Sequence, residues 1–207
     1  MSAGPDGVPG PPSCDLQRLL LVVTGSISAA DAPFWVTWLR ESYPDLELRV
    51  VLTPTAAGFV SPAALSARLA APVAPDRWSD DGRAVHVEWQ RWAQAILVFP
   101  ATLDYLSRFA AGLAGTPSLL AAQCTEAPVV LAPALPPGGV RCHAFRRAVE
   151  LLGSRENVAV APTRWGVSLT DGEPTDGVPA LLPDLLVLAE RLRRPSDSVV
   201  ASLGRGL

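Results

Sequence analysis

Apolar residues fall along the chain in two alternating patterns. Apolar runs occur at residues 19–24, 95–99, 128–132 and 158–161, and residues 47–52 end in another, Val50-Val-Leu, after Glu47 and Arg49. Runs this short and without polar alternation predict strands covered on both faces, as in a parallel sheet. Between them, residues 32–42, 62–69, 88–94, 103–113, 117–123, 143–152 and 181–193 space their apolar positions three and four apart. Several of these segments open on Ser-Pro, Thr-Pro or a Thr cap, so each predicts a helix. Residues 70–83, with their prolines, glycine and acids, predict a loop. Strands alternating with helices give an α/β protein, a three-layer α/β/α sandwich around a parallel sheet. No internal repeat is evident.

A chain of 207 residues can bury one sizeable core. We place that domain at 16–193. The Pro/Gly-rich residues 1–15 and the polar residues 194–207 bury too little to offset their ordering entropy and are expected to be flexible tails. The net charge is −3 and the two signs are interspersed, which favours neither nucleic acid nor a membrane surface. Because every basic residue is arginine, Schiff-base and phosphate-loop lysine chemistry is excluded. Cys14, Cys124 and Cys142 lack metal-ligand or redox-pair spacing, so no metal site is expected, and Cys124 and Cys142 are read as small packing residues. With no secretory or membrane segment in view, the expected setting is cytoplasmic, with reduced thiols.

Candidate chemistry gathers where strands end. The first strand runs into Thr24-Gly-Ser-Ile-Ser-Ala, where Gly25 permits a tight turn and the next amides and hydroxyls can face an anion. An ordinary strand-to-helix turn is the competing reading. The second strand ends in Leu52-Thr-Pro-Thr-Ala-Ala-Gly-Phe-Val, and the middle strand stops at Pro100-Ala-Thr-Leu-Asp. Asp104 reads either as first-turn support for a helix capped by Thr102 or as a polar contact to a ligand. His86, one of only two histidines, precedes the helix that leads into that middle strand. The aromatic-rich segments with Trp35, Trp38, Trp89 and Trp92 suggest a face for self-association.

Taken in order from about residue 19 to 134, these pieces resemble the homo-oligomeric flavin-containing cysteine decarboxylase family, including its LanD-type peptidyl-cysteine decarboxylases. The first turn resembles the family's Gly-Ser-Ile phosphate turn and the second loop its second flavin loop. His86-Val-Glu-Trp-Gln-Arg-Trp-Ala-Gln-Ala resembles the catalytic histidine and its helix, and Pro100-Ala-Thr-Leu-Asp-Tyr-Leu-Ser-Arg-Phe-Ala-Ala-Gly resembles the PASANTxxKxAxG motif. The resemblance implies a Rossmann-like fold and a flavin, FMN with FAD as the alternative. It places that flavin against Gly25, Ser26, Ile27, Ser28, Thr53, Thr55, Phe59, Pro100, Ala101, Thr102 and Asp104. It further implies His86 as the catalytic base, a trimer or a dodecamer with flavin sites between subunits, and a precursor peptide ending in cysteine.

The departures narrow the reading. Where the family carries PxMNxxMW, this chain has Pro133-Ala-Leu-Pro-Pro-Gly-Gly-Val, and its one asparagine is Asn157, so Asp104 stands at the position of the PASANT asparagine. Pro133 and Leu135 in that rebuilt segment, with Arg164 and Trp165 further on, become the substrate candidates, the arginine pairing with a carboxylate and the indole covering the peptide. Residues 161–177 lack the flap cysteine with which phosphopantothenoylcysteine decarboxylases reduce their product. An enethiol product is therefore expected, with a silent flavin-binding subunit or the phosphopantothenoylcysteine reaction as alternatives.

Overall fold

The computed structural model describes residues 11–168 and 171–194. In chain order its strands are β1 (Arg18–Val23), β2 (Glu47–Leu52), β3 (Ala74–Pro75), β4 (Ala95–Thr102), β5 (Val129–Ala134), β6 (Val158–Val160), β7 (Arg164–Val167) and β8 (Pro174–Val178). The helices are α1 (Ala32–Ser42), α2 (Pro62–Leu69), α3 (Val85–Trp92), α4 (Leu103–Ala110), α5 (Pro117–Cys124), α6 (His143–Leu152) and α7 (Leu182–Arg193). The first six strands form one parallel sheet in the order β3-β2-β1-β4-β5-β6, and β7 and β8 form a separate antiparallel hairpin.

Successive residues of one strand serve opposite cores. Leu19, Leu21 and Val23 pack with α1, α2 and α7, while Leu20 and Val22 pack with α3, α4, α5 and α6. A strand so placed has no polar face, which is why its sequence shows no alternation. Each fully buried leucine contributes about 2 kcal/mol relative to exposure.

Four expectations are corrected. First, β4 does not stop at Phe99 but continues through a cis Phe99–Pro100 peptide to Thr102. Its register against β5 shifts between Val98 and Ala101, so the amide that proline lacks falls where the ladder is already interrupted. Second, α3 begins at Val85, which puts His86 inside its first turn rather than ahead of it. Third, Trp35 and Trp89 are core residues of this one chain, and Trp92 lies under the Arg49 guanidinium, so the tryptophan-rich helices do not form an exposed aromatic face. Fourth, Cys124 is exposed and Cys142 caps α6 through its sulfur, so neither is a packing residue.

The expected tails at 1–15 and 194–207 lie largely outside the described residues. Within them, the Pro12 carbonyl accepts from the Tyr43 hydroxyl and the Asp15 amide donates to Glu190. The hairpin β7–β8 had no apolar run to announce it: β7 is mostly exposed, and the residues that β8 buries are Thr175 and Gly177.

Candidate active site at the strand ends

Strands β1 and β4 are neighbours, yet the chain leaves them in opposite directions. After β1 it passes through a short 3-10 turn into α1 on one face of the sheet, and after β4 it enters α4 on the other. That divergence opens a crevice at the carboxyl ends of the strands, where doubly wound sheets bind ligands. Thr24 pins the crevice floor. Its buried hydroxyl donates to the Pro100 carbonyl at 2.7 Å and accepts from the Thr102 amide at 2.9 Å.

The turn after Thr24 is compact because Ser26 caps it, its hydroxyl accepting from the Ser28 amide at 3.3 Å. Gly25 is required there by a close approach: a Cβ at this position would collide with the Thr55 side chain. The two loops that follow β1 and β2 thus touch. Thr102 caps α4 by accepting from the Tyr105 amide, as expected, and Asp104 follows in the first turn. Its carboxylate receives the Arg108 Nε at 2.9 Å on each oxygen. The pair is electrically neutral as a unit, so an acid can stand near a carboxylate-bearing ligand without the full repulsion of an unpaired charge.

Two cavities share Gly25, Thr102 and Asp104. One, of about 980 Å³, is a largely apolar cleft walled by Ile27, Phe34, Phe59, Phe99, Leu135 and Trp165, with Arg164 the one cation on its lining. The other, of about 470 Å³, is lined by Thr53, Thr55, Thr116 and Arg108. Aromatic and aliphatic walls suit a flat ring or an apolar peptide; converging hydroxyls beside a guanidinium suit a phosphate or polyol.

Of the sequence-derived flavin contacts, Gly25, Ser26, Ile27, Ser28, Phe59, Thr102 and Asp104 meet in the cleft, and Thr53 and Thr55 line the hydroxyl cavity. Pro100 and Ala101 line neither. They are buried in β4, where the Pro100 carbonyl is already engaged by Thr24. Among the substrate candidates, Leu135, Arg164 and Trp165 line the cleft, whereas Pro133 is buried in β5 opposite Ala101.

The hairpin β7–β8 overhangs the cleft. Trp165 is 76% exposed and Val167 is exposed beside it. The base of the hairpin is fixed: the Leu135 amide donates to the Gly177 carbonyl at 2.9 Å, and Arg164 Nε donates to the Pro179 carbonyl at 3.0 Å. Among the described residues, the two terminal nitrogens of Arg164 have no other hydrogen-bond partner.

His86 stands apart from both cavities. Helix α3 runs antiparallel to the strands, so its first turn lies at the same rim of the sheet as Gly25 and Thr102. The side chain nevertheless packs against Trp78, with ring centroids 5.4 Å apart. Its Nδ1 is enclosed without a hydrogen-bond partner among the described residues, which leaves Nε2 as the accessible nitrogen. Sequence reasoning did not foresee the roles of Asp76 and Tyr105. Buried Asp76 accepts from the Ser118 amide and hydroxyl at 2.9 and 2.7 Å, and the Tyr105 hydroxyl meets the same Ser118 oxygen at 3.1 Å. Burial drives the Tyr105 phenol well above its ordinary pKa, so it stays neutral.

An open parallel sheet whose diverging strand ends hold a hydroxyl-lined seat beside an aromatic cleft defines a cofactor-binding α/β protein. The Flavoprotein family model matches residues 12–164, and the chain belongs to that family. Over 178 residues it is 37% identical to cypemycin cysteine dehydrogenase (decarboxylating) from a Streptomyces species, covering 85% of this chain and 92% of that protein. It is 33% identical over 141 residues to the coenzyme A biosynthesis bifunctional protein CoaBC of Escherichia coli (strain K12), of which the match spans 34%. The crystal structure of the cypemycin decarboxylase CypD superposes with a TM-score of 0.73 at 33% identity, covering 95% of this chain and 99% of that one. That of the FMN-dependent cysteine decarboxylase SpaF gives 0.69 at 25% identity, covering 84% and 97%.

Proposed function

We propose that this chain is an FMN-dependent enzyme that oxidatively decarboxylates the C-terminal cysteine of a ribosomally made precursor peptide and releases an enethiol. The observation that carries the reading is the paired site itself, in which a hydroxyl-lined seat opens onto an apolar cleft roofed by a hairpin bearing the lining's one cation. The similarity to a cysteine-decarboxylating dehydrogenase over most of both chains supports it.

The residues present fit FMN. The close approach at Gly25 leaves backbone rather than side chain facing the seat, and Thr53, Thr55, Thr102 and Arg108 offer donors to a phosphate. When bound, FMN supplies the two-electron oxidant that turns the cysteine CH2–SH carbon into a thiocarbonyl, the electron sink into which the Cα–carboxyl bond empties as carbon dioxide leaves. Arg164 pairs with the peptide's terminal carboxylate through its terminal nitrogens, and Trp165 covers the peptide and excludes water. His86 accepts the thiol proton at Nε2, a task that suits an imidazole. Overall the peptide loses carbon dioxide and two hydrogens. Residues 161–177 contain no cysteine, so nothing there reduces the enethiol further.

Because His86 lies outside its own chain's cleft, we infer that a neighbouring copy in a homo-oligomer brings it to the flavin, in a trimer or a dodecamer built from trimers. Among the described residues no helix is long and apolar enough to cross a membrane, and we assign the enzyme to the cytoplasm.

The test is direct. The purified yellow protein, incubated with peptides ending in Cys and with the same peptides ending in Ser, should remove carbon dioxide and two hydrogens from the first set alone, as read by mass. His86→Ala should keep its flavin and lose turnover. A flavin-loaded protein that alters no cysteine-terminated peptide, including the one encoded beside it, would overturn the assignment.

A further inference from the structure

His86 is held in an unusual way for a residue asked to move protons: among the described residues no side chain or backbone group hydrogen-bonds its enclosed Nδ1. Imidazoles in catalytic sites are generally oriented through the nitrogen that does not react. Here the ring meets an indole instead, in a T-shaped contact. The Trp78 ring meets the His86 ring at an interplanar angle of 75°, and the Trp78 Nε1–H donates to the Gly115 carbonyl at 3.0 Å.

That indole is fixed from its own side of the chain as well. Two residues earlier, the Asp76 carboxylate bolts the strand end of β3 to the start of α5 through Ser118, and the Asp76 amide donates to the Leu52 carbonyl at 2.9 Å. Three residues on from Trp78, the loop back to α3 is stapled by Asp81, whose carboxylate accepts from the Ser79 hydroxyl and the Arg83 amide. The backbone is thus fastened on both sides of Trp78. Trp78 is 46% exposed, so it adds little to the core by burial.

We propose that Trp78, anchored on the Gly115 carbonyl and flanked by the Asp76–Ser118 bolt, is the positioning residue for His86, fixing the ring so that Nε2 alone is presented. The proposal rests on the reading of His86 as the base. The Asp76–Ser118 bolt beside Trp78 also reaches the cavities of its own chain. Ser118 meets the Tyr105 hydroxyl, and the Tyr105 amide donates to the Thr102 hydroxyl, which lines both cavities.

The experiment uses the full-length holoprotein and its Trp78→Ala and Trp78→Phe variants. Only two histidines are present, and His143 is exposed on α6, so the imidazole proton resonances are separable and His143 is an internal reference. In Trp78→Ala the His86 resonance should lose the ring-current displacement that the indole imposes, while His143 does not move. With a cysteine-terminated peptide, kcat should fall about tenfold to a hundredfold, the scale expected when a catalytic group is misplaced, with KM and flavin content unchanged. Trp78→Phe, which keeps an aromatic edge but loses the anchor, should recover most of that loss. An unmoved His86 resonance with kcat near wild type would overturn the proposal. So would a joint fall in melting temperature, flavin and kcat that phenylalanine does not rescue, because Trp78 would then be structural. If the wild-type protein turns over no peptide, the decarboxylase reading fails, and the resonance positions still decide whether Trp78 holds His86.

Discussion

Thr24 shows how one side chain sets the geometry of the site. It is the last residue before the turn, it is buried, and its hydroxyl closes two bonds across the gap between β1 and β4. Thr24→Val keeps the shape and removes both bonds, stranding the Thr102 amide and leaving the Pro100 carbonyl only its longer bond from the Thr24 amide, at 3.3 Å. A loss of about 2 kcal/mol is expected for such buried unsatisfied groups. In a chain of this size that corresponds to a melting temperature lower by about 4–8 °C, measurable by calorimetry. The same variant should retain less flavin, since Thr102 loses its tether. Asp104 carries a second residue-scale lesson. Its carboxylate is matched by Arg108 one helical turn later, so it brings acceptors to the rim without leaving an unbalanced charge.

At the scale of elements, the hairpin β7–β8 is the part of the site most exposed to solvent and most dependent on its hinge. Its strands make few core contacts, but its base is locked where Gly177 lies so close to Leu135 that a Cβ would run into the Leu135 carbonyl. Backbone cannot yield there cheaply. Gly177→Ala should therefore lift the hairpin away from the cleft and withdraw Arg164 and Trp165 from the peptide. We expect KM for a cysteine-terminated peptide to rise about tenfold, as one lost charge-assisted contact would give, with flavin content unchanged. Steady-state kinetics beside the absorption spectrum decide it. Equal KM values would mean that the hairpin does not hold substrate.

At the scale of the whole molecule, one chain holds the proposed flavin seat and His86, the proposed base, in separate places. Complementation tests whether a second copy unites them. Gly25→Asp should lose flavin, because bulk and negative charge enter beside Thr55, and His86→Ala should lose turnover. Neither variant is active alone. Mixed and reassembled, they should regain activity, because a seat from the His86→Ala chain can meet the histidine of the Gly25→Asp chain. Recovery in the mixture, with both variants found in one oligomer by light scattering and mass, supports a shared site. If both variants assemble together and the mixture stays inactive, each chain serves its own flavin.

The sequence by itself determined the strands β1, β2, β4, β5 and β6, the helices and the rim on which the chemistry sits, but not β3, which lies in the expected loop 70–83, nor the hairpin β7–β8. Patterns such as Leu19-Leu-Leu-Val-Val and the Thr-Pro or Ser-Pro starts of helices are local, and local propensity together with burial on both faces leaves them one outcome. The turn at Gly25 and the cap at Thr102 were legible for the same reason. Tertiary structure alone decided what depends on residues far apart in the chain. Thr24 meets Pro100, Asp76 meets Ser118, and Trp78 meets both Gly115 and His86. It also placed Trp35 and Trp89 inside, where spacing alone had left an exposed face open, and it carried β4 past Pro100 through a shift in register. Each of these outcomes is a pairing of partners that no single segment encodes, so it becomes fixed only when the sheet brings the segments together.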